Sequence, residues 1–169
     1  MEKQNIYQDI SARTGGEIYL GVVGPVRSGK STFIKRFMEL LVLPEIKDEN
    51  ERKRTMDELP QSGTGKMVMT TEPKFIPKEA AELPMEDMKI KIRLIDCVGF
   101  MIPGAGGNLE NGQERLVKTP WFDYEVPFTK AAEFGTRKVI RDHSTIGILV
   151  TADGSFGEIP RDSYVEAEK

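Results

Sequence analysis

Three short stretches carry side chains whose types and spacing can act on a chain of phosphates. The first is Gly24-Pro25-Val26-Arg27-Ser28-Gly29-Lys30-Ser31-Thr32, which matches G-x-x-x-x-G-K-[ST]. Glycine at 24 and 29 lets main-chain N–H groups approach phosphate oxygens, and Arg27, Ser28 and Thr32 complete the expected phosphate-binding loop. Lys30 brings a compact positive charge to the outer phosphates, and the Ser31 hydroxyl is placed to ligate Mg²⁺. The second stretch, Asp96-Cys97-Val98-Gly99, ends an apolar run. Its acid is where Mg²⁺ is oriented, and the Gly99 N–H can turn toward a terminal phosphate; the bland alternative is a strand-end cap with a turn glycine. The third, Met69-Thr70-Thr71-Glu72-Pro73, lies between the other two. A switch needs a hydroxyl that reaches Mg²⁺ and an N–H that senses the last phosphate, and Thr70 or Thr71 fits; otherwise they are strand-edge threonines. Ser31, Thr71 and Asp96 form the expected metal set, and Lys30, Thr70, Thr71 and Asp96 the expected catalytic set.

The order of loop lysine, sensor threonine and D-x-x-G acid is that of a GTPase-type switch rather than a small-metabolite kinase. One position departs from it. Where many such enzymes carry a water-orienting Gln after the glycine, this chain has Phe100, so slow hydrolysis is expected. Arg27 is either a charge stabiliser for the phosphates or an exposed loop residue. Val26 is expected to crowd an arginine arriving from outside.

These residues need a frame. IYLGVV, ahead of the loop, is rich in branched and aromatic residues and predicts a strand over 17–23. After the loop, Phe33, Ile34, Phe37, Leu40 and Leu41 fall at helical spacing, predicting a helix that stops before Pro44. Residues 44–66 are dense in charge and form, with the threonines, a switch I-like region over 44–73. The segment around Phe75 and Ile76 predicts a strand, antiparallel to a second one over 89–96, where Ile90, Ile92 and Leu94 alternate. Residues 96–128 are expected as a switch II-like region with an insertion, too long for a plain connection. A helix is predicted over 129–142, weakened by Gly135, then a strand at TIGILV and a truncated helix in RDSYVEAEK. A further short helix is predicted over 4–14. Strands alternating with helices give an α/β fold: a three-layer P-loop NTPase sandwich with a GTPase-like, TRAFAC-type mixed sheet and the ligand at the strands' carboxyl ends.

At 169 residues the chain is about one domain long, and it reads as the N-terminal portion of a longer protein. A hydrophobic content of 38% with 30% charged residues describes an ordinary water-soluble chain. The net charge of −3 argues against nucleic acid as a partner. No apolar run approaches the roughly 20 residues of a transmembrane segment, and the N-terminus has no signal-peptide core. The single Cys97 fits a reducing, cytoplasmic setting and is expected to pack rather than react. His143 is expected at a helix end or surface, and Trp121 as a loop anchor.

GVVGPVRSGKSTFIKRFMELLVLPEI, MTTEPKFIP, IRLIDCVGF, KTPWFDYEVPF and AAEFGTRKVIRDHSTIGILVTADGS together resemble the N-terminal domain of the stage IV sporulation protein A family of spore-forming bacteria. The likeness runs through essentially the whole chain, and TTEPKF and GTRKVI-x-x-HSTIG are its specific parts. The resemblance implies a morphogenetic ATPase of GTPase-like fold that uses ATP and Mg²⁺ and polymerises into the basement layer of the spore coat. It implies that Lys30 binds the phosphates, that Asp96 is the second magnesium-site acid, and that Thr70 and Thr71 are sensor threonines. It also implies self-association, coat morphogenetic proteins and a small amphipathic membrane-anchoring sporulation peptide as partners, on the mother-cell side of the forespore. The residues themselves leave two other functions open: a signalling GTPase, and a scaffold that holds nucleotide without turnover.

Overall fold

A computed structural model describes residues 12–61, 71–85, 88–155 and 159–169. Its frame is a four-stranded mixed sheet in the order β2-β3-β1-β8. Strand β1 (Glu17–Val23) lies parallel to β3 (Met88–Asp96) on one side and to β8 (Ile146–Leu149) on the other. Strand β2 (Lys74–Met85) closes the far edge antiparallel to β3, as the lack of a helix between them predicts. It runs longer than the Phe75–Ile76 signal because the register shifts between Ile76 and Ala81, letting the strand resume after Pro77.

Side-chain alternation divides the core into two faces. Leu20, Val22, Ile90, Ile92 and Leu94 point toward helix α1 (Lys30–Phe37), where they meet Ile34 and Met38. Leu94, Ile34 and Met38 are fully buried, each stabilising the fold by about 1.5–3 kcal/mol. The opposite face carries Val23, Ile95 and Cys97, with Val139 packed on them. Val139 begins a π-helical turn, Val139–His143, that extends helix α3 (Phe128–Lys138). Helices therefore cover both faces of an α/β sheet.

Two helical predictions need correction. The chain does not leave its helix before Pro44: α1 passes into a π-helical turn (Met38–Val42) and then a 3-10 turn (Leu43–Glu45) that contains Pro44. Proline is tolerated there because the first positions of a new helical turn do not need its N–H. The widened π turn also changes which residues face the sheet. Met38 and Val42 are buried, whereas Leu40 and Leu41 are 68% and 58% exposed. The second correction is helix α2 (Glu49–Asp57), which occupies part of the charged 44–66 segment. Its polar sequence buries little beyond Thr55, so no apolar periodicity announces it.

The insertion after Asp96 contains two hairpins. Strands β4 (Leu109–Glu110) and β5 (Gln113–Glu114) are joined by Asn111-Gly112, both at positive φ, as a tight hairpin turn requires. Strands β6 (Leu116–Thr119) and β7 (Phe122–Pro127) form the second, which leads directly into α3. Helix α4 (Asp162–Val165) follows β8 and buries Tyr164 against Val26, Ile102, Ala105 and Ile159 beneath the glycine-flanked loop. Val26 is thus turned inward, 2% exposed, and cannot crowd an arginine from outside. Of the predicted 4–14 helix, residues 4–11 lie outside the described residues, and residues 12–14 are helical. No helix among the described residues is long and apolar enough to cross a membrane.

Candidate functional site

The loop between β1 and α1 lies at the carboxyl end of the parallel strands, where main-chain ends converge. Gly24 turns out of β1 at φ 138, and a Cβ there would sit 2.1 Å from the Val150 carbonyl oxygen beyond β8. Only glycine allows that approach. The loop is then pinned to the segment after β3: Val26 N donates to Phe100 O at 2.8 Å and Phe100 N to Gly24 O at 3.3 Å. Gly99, at φ 94, fills the remaining gap; a Cβ on it would stand 2.1 Å from Gly24 O and 2.6 Å from Lys30 Nζ. The two glycine-bearing motifs, 75 residues apart in their first and last glycines (99 − 24), form one packed unit.

Helix α1 starts at Gly29, which has φ 95 and no side-chain cap; no acid occupies the first turn. The first-turn N–H groups therefore have no cap from this helix's own side chains, an arrangement that can receive an anion. Lys30 is buried, 5% exposed, and its Nζ donates to Pro25 O at 2.6 Å. Burial pulls its ammonium below the ordinary lysine range, partly opposed by Cys97 and Asp96. A cation held in so little water is favoured by an anion beside it. The Ser28 hydroxyl is buried in the same loop with no hydrogen-bond partner. Arg27 is exposed and adopts φ 62, and Thr32 is exposed on the first turn of α1.

The Ser31 hydroxyl donates to Asp96 Oδ2 at 2.8 Å, which joins the phosphate loop to the D-x-x-G acid. The other carboxylate oxygen, Oδ1, is buried without a partner. Burial raises the Asp96 pKa, while the Ser31 bond, Lys30 and Lys74 oppose the rise. An orphaned carboxylate oxygen beside a hydroxyl is a donor set that suits a hard cation with oxygen ligands. Ser31 and Asp96 can therefore hold Mg²⁺, although no cluster of three or more His, Cys, Asp or Glu occurs among the described residues. A cavity of about 880 Å³ opens beside them, lined also by Pro73, Lys74, Arg93 and Leu59.

Lys74 is a site residue outside the set expected from sequence. It pairs with Asp96 across β2 and β3, so the two side chains share a face. Its position inside TTEPKF was the available signal, but the strand register that makes it a neighbour is not readable from one segment. Of the two threonines, Thr70 lies outside the described residues. Thr71 is 5% exposed, and its carbonyl oxygen lies against Gly135 of α3. Phe100 lines a groove with Met101, Ile102, Arg137 and Ile140 and offers no hydrogen bond to water. Cys97 packs as expected: its thiol donates to Val22 O at 3.4 Å, and burial raises its pKa. His143 is exposed just after α3, with its ring edge-on to Phe75 at 5.6 Å. Trp121 is half-buried against Phe134, ring centroids 5.4 Å apart.

A family model, "Stage IV sporulation protein A, ATPase domain", matches residues 1–169. The chain belongs to this family. It is 55% identical over 170 residues to stage IV sporulation protein A of Bacillus anthracis, covering 100% of this chain and 35% of that protein. To the protein of the same name from Bacillus subtilis (strain 168) it is 56% identical over 170 residues, with the same coverage of both. To that of Clostridioides difficile (strain 630) it is 58% identical over 166 residues, covering 98% of this chain and 34% of the relative. The chain thus spans about a third of the length of the curated relatives it matches. No solved structure matches it.

Proposed function

We propose that the chain is the ATP-binding and slowly ATP-hydrolysing part of a sporulation morphogenetic protein, built on a GTPase-like P-loop sandwich. The observation that supports this most directly is the closed geometry around Lys30. A buried ammonium, an uncapped helix start, the Gly24–Gly99 contact and the Ser31–Asp96 bond all meet at one end of the sheet. ATP is preferred to GTP because the family model carries the name of an ATPase domain.

In this reading the amides from Gly24 to Thr32 cradle the phosphates, with Arg27 and Ser28 at the loop's crest. Lys30 exchanges its Pro25 carbonyl for a phosphate oxygen, a stronger, charge-assisted bond. Ser31 and Asp96 would hold Mg²⁺, which when bound supplies neutralising positive charge to the phosphate oxygens. Gly99 presents its N–H to the terminal phosphate, and Thr70 and Thr71 act as sensors, Thr71 also toward the metal. Segments 44–73 and 96–128 are the switch regions. Phe100 cannot orient the attacking water, so turnover is slow.

For the whole protein we propose that hydrolysis drives self-assembly into the basement layer of the spore coat, on the cytoplasmic, mother-cell side of the forespore. Coat morphogenetic proteins and a small amphipathic anchoring peptide are the proposed partners. The family name and the resemblance support this; the site geometry speaks only to the nucleotide step. A second reading, a nucleotide-stabilised scaffold without turnover, is favoured by Phe100, whose apolar side chain lines a groove and cannot hydrogen-bond a water.

The deciding experiment is a phosphate-release assay on the full-length protein with Mg²⁺ and either ATP or GTP. Release well beyond one equivalent with ATP, lost in Thr70→Ala/Thr71→Ala while binding is kept, is the expected result. Release limited to one equivalent would favour the scaffold, and preference for GTP would overturn the assignment of ATP.

A further inference from the structure

Gly135 stands inside α3, where glycine is a poor helix former, yet it is buried. The reason is space. A Cβ built on it would lie 2.7 Å from the Thr71 carbonyl oxygen and 3.0 and 3.4 Å from Cη2 and Cζ3 of Trp121. The main chain of Thr71 and the outer edge of the indole therefore share one notch in the helix. Any side chain at 135 would displace one of them.

The notch is connected to the candidate site through its own helix. The next residue, Thr136, is fully buried; its hydroxyl donates to Ala132 O at 2.9 Å and lies 3.7 Å from Cys97 Sγ. Cys97 follows Asp96 directly. One turn of α3 thus touches Thr71 and the residue beside the magnesium-site acid. Trp121 is also held by α3 itself, because its ring packs at a tilt of 47° against Phe134 at 5.4 Å, and its neighbour Phe122 packs on the same ring at 5.0 Å and 59°. Trp121 and Phe122 belong to the β6–β7 hairpin, whose Tyr124 is 62% exposed.

We propose that Gly135 and Trp121 are positioning residues for Thr71: together they form a seat that fixes the main chain of the sensor threonine relative to Asp96. This rests on the reading of Thr71 as a phosphate sensor and adds the elements that place it. Neither residue reaches a phosphate; each acts through the Thr71 backbone. The seat also ties the exposed β6–β7 hairpin to the phosphate site.

The test uses the full-length protein, turnover with MgATP, and affinity for the β,γ-imido analogue of ATP as the binding probe. Gly135→Ala is expected to lower kcat by about 10- to 100-fold, the scale of an ångström-sized misplacement. Affinity for the analogue should stay within about twofold, because the phosphate loop is untouched. Trp121→Phe, which removes the outer indole edge but keeps an aromatic ring on Phe134, should lower kcat less and also spare binding. It carries the test if Gly135→Ala does not fold. The analogue should also change tryptophan emission in the parent protein, and that change should be smaller in Trp121→Phe. Wild-type kcat in both variants overturns the seat, as does a loss of binding in step with turnover, which marks a general structural fault. Lys30→Ala run alongside separates the two ideas. If it abolishes analogue binding while the seat variants turn over normally, only the seat falls; if it binds like wild type, the phosphate-site reading falls and takes the seat with it.

Discussion

Helix α2 opens at Asp48, whose carboxylate accepts from Glu51 N at 2.7 Å, with Glu49 and Glu51 in its first turn. Helix α1 opens at Gly29 in a left-handed conformation, with no capping side chain, no acid of its own in the first turn and Lys30 as its first residue. Both helices are of similar length and both leave their first N–H groups without helical partners. One end satisfies those groups and the dipole from its own sequence; the other leaves both to something outside the chain. The contrast separates a helix capped by its own side chains from one whose beginning, in the reading proposed above, is kept for an anion.

The largest effect should come from removing the cation that serves the open end. Lys30→Ala should weaken MgATP binding by about 100-fold, the worth of a buried charged hydrogen bond, measured by calorimetry. Equal binding would erase the distinction between the two helices. Gly99→Ala should follow. Its Cβ has no room beside Gly24 O and Lys30 Nζ, and positive φ adds strain of about 1–3 kcal/mol, so nucleotide affinity and the thermal midpoint should both fall. Unchanged affinity would mean that the D-x-x-G segment does not shape the loop.

Asp48→Ala should act on stability alone. Loss of the cap costs about 1 kcal/mol, or roughly 2–4 °C in a domain of this size, with nucleotide affinity unaltered. A change in affinity would show that α2 also serves the site. The smallest effect is in the pH dependence of the nucleotide-free protein. An unfolded lysine holds its proton up to about 10.5, whereas buried Lys30 releases it sooner. Below 10.5, and above the lowered value, the unfolded state therefore binds more protons, and this residue makes stability rise with pH. Lys30→Met should flatten that part of the curve in denaturant titrations; an unaltered slope would mean that the ammonium is well solvated.

The same contrast explains what was legible in advance. Strand β1, the loop, the start of α1 and strand β3 follow from local patterns: a branched apolar run, two spaced glycines before Lys-Ser, and the alternation of Ile90, Ile92 and Leu94. Helix α2 was not legible because it is held by a cap and by edge contacts, such as the Glu58 carboxylate accepting from Lys78 N at 2.6 Å, rather than by an apolar face. Leu40 and Leu41 share helical spacing with Ile34 yet are exposed, because a π-helical turn rotates the face that a regular helix would present. The Asn111-Gly112 turn carries a hairpin signal, but the surrounding glycine-rich stretch masks it.

The sequence alone determined the chemistry available at the loop end of the sheet: which residue is the cation, which the hydroxyl and which the acid, because those roles depend on residue type and short spacing. Tertiary structure decided which distant groups meet there. Lys74 faces Asp96 through strand register, Gly99 closes on Lys30 through a parallel crossover, and Thr71 rests on Gly135 through helix packing. Those contacts join residues far apart in the chain, and only the packing of sheet and helices sets their distances.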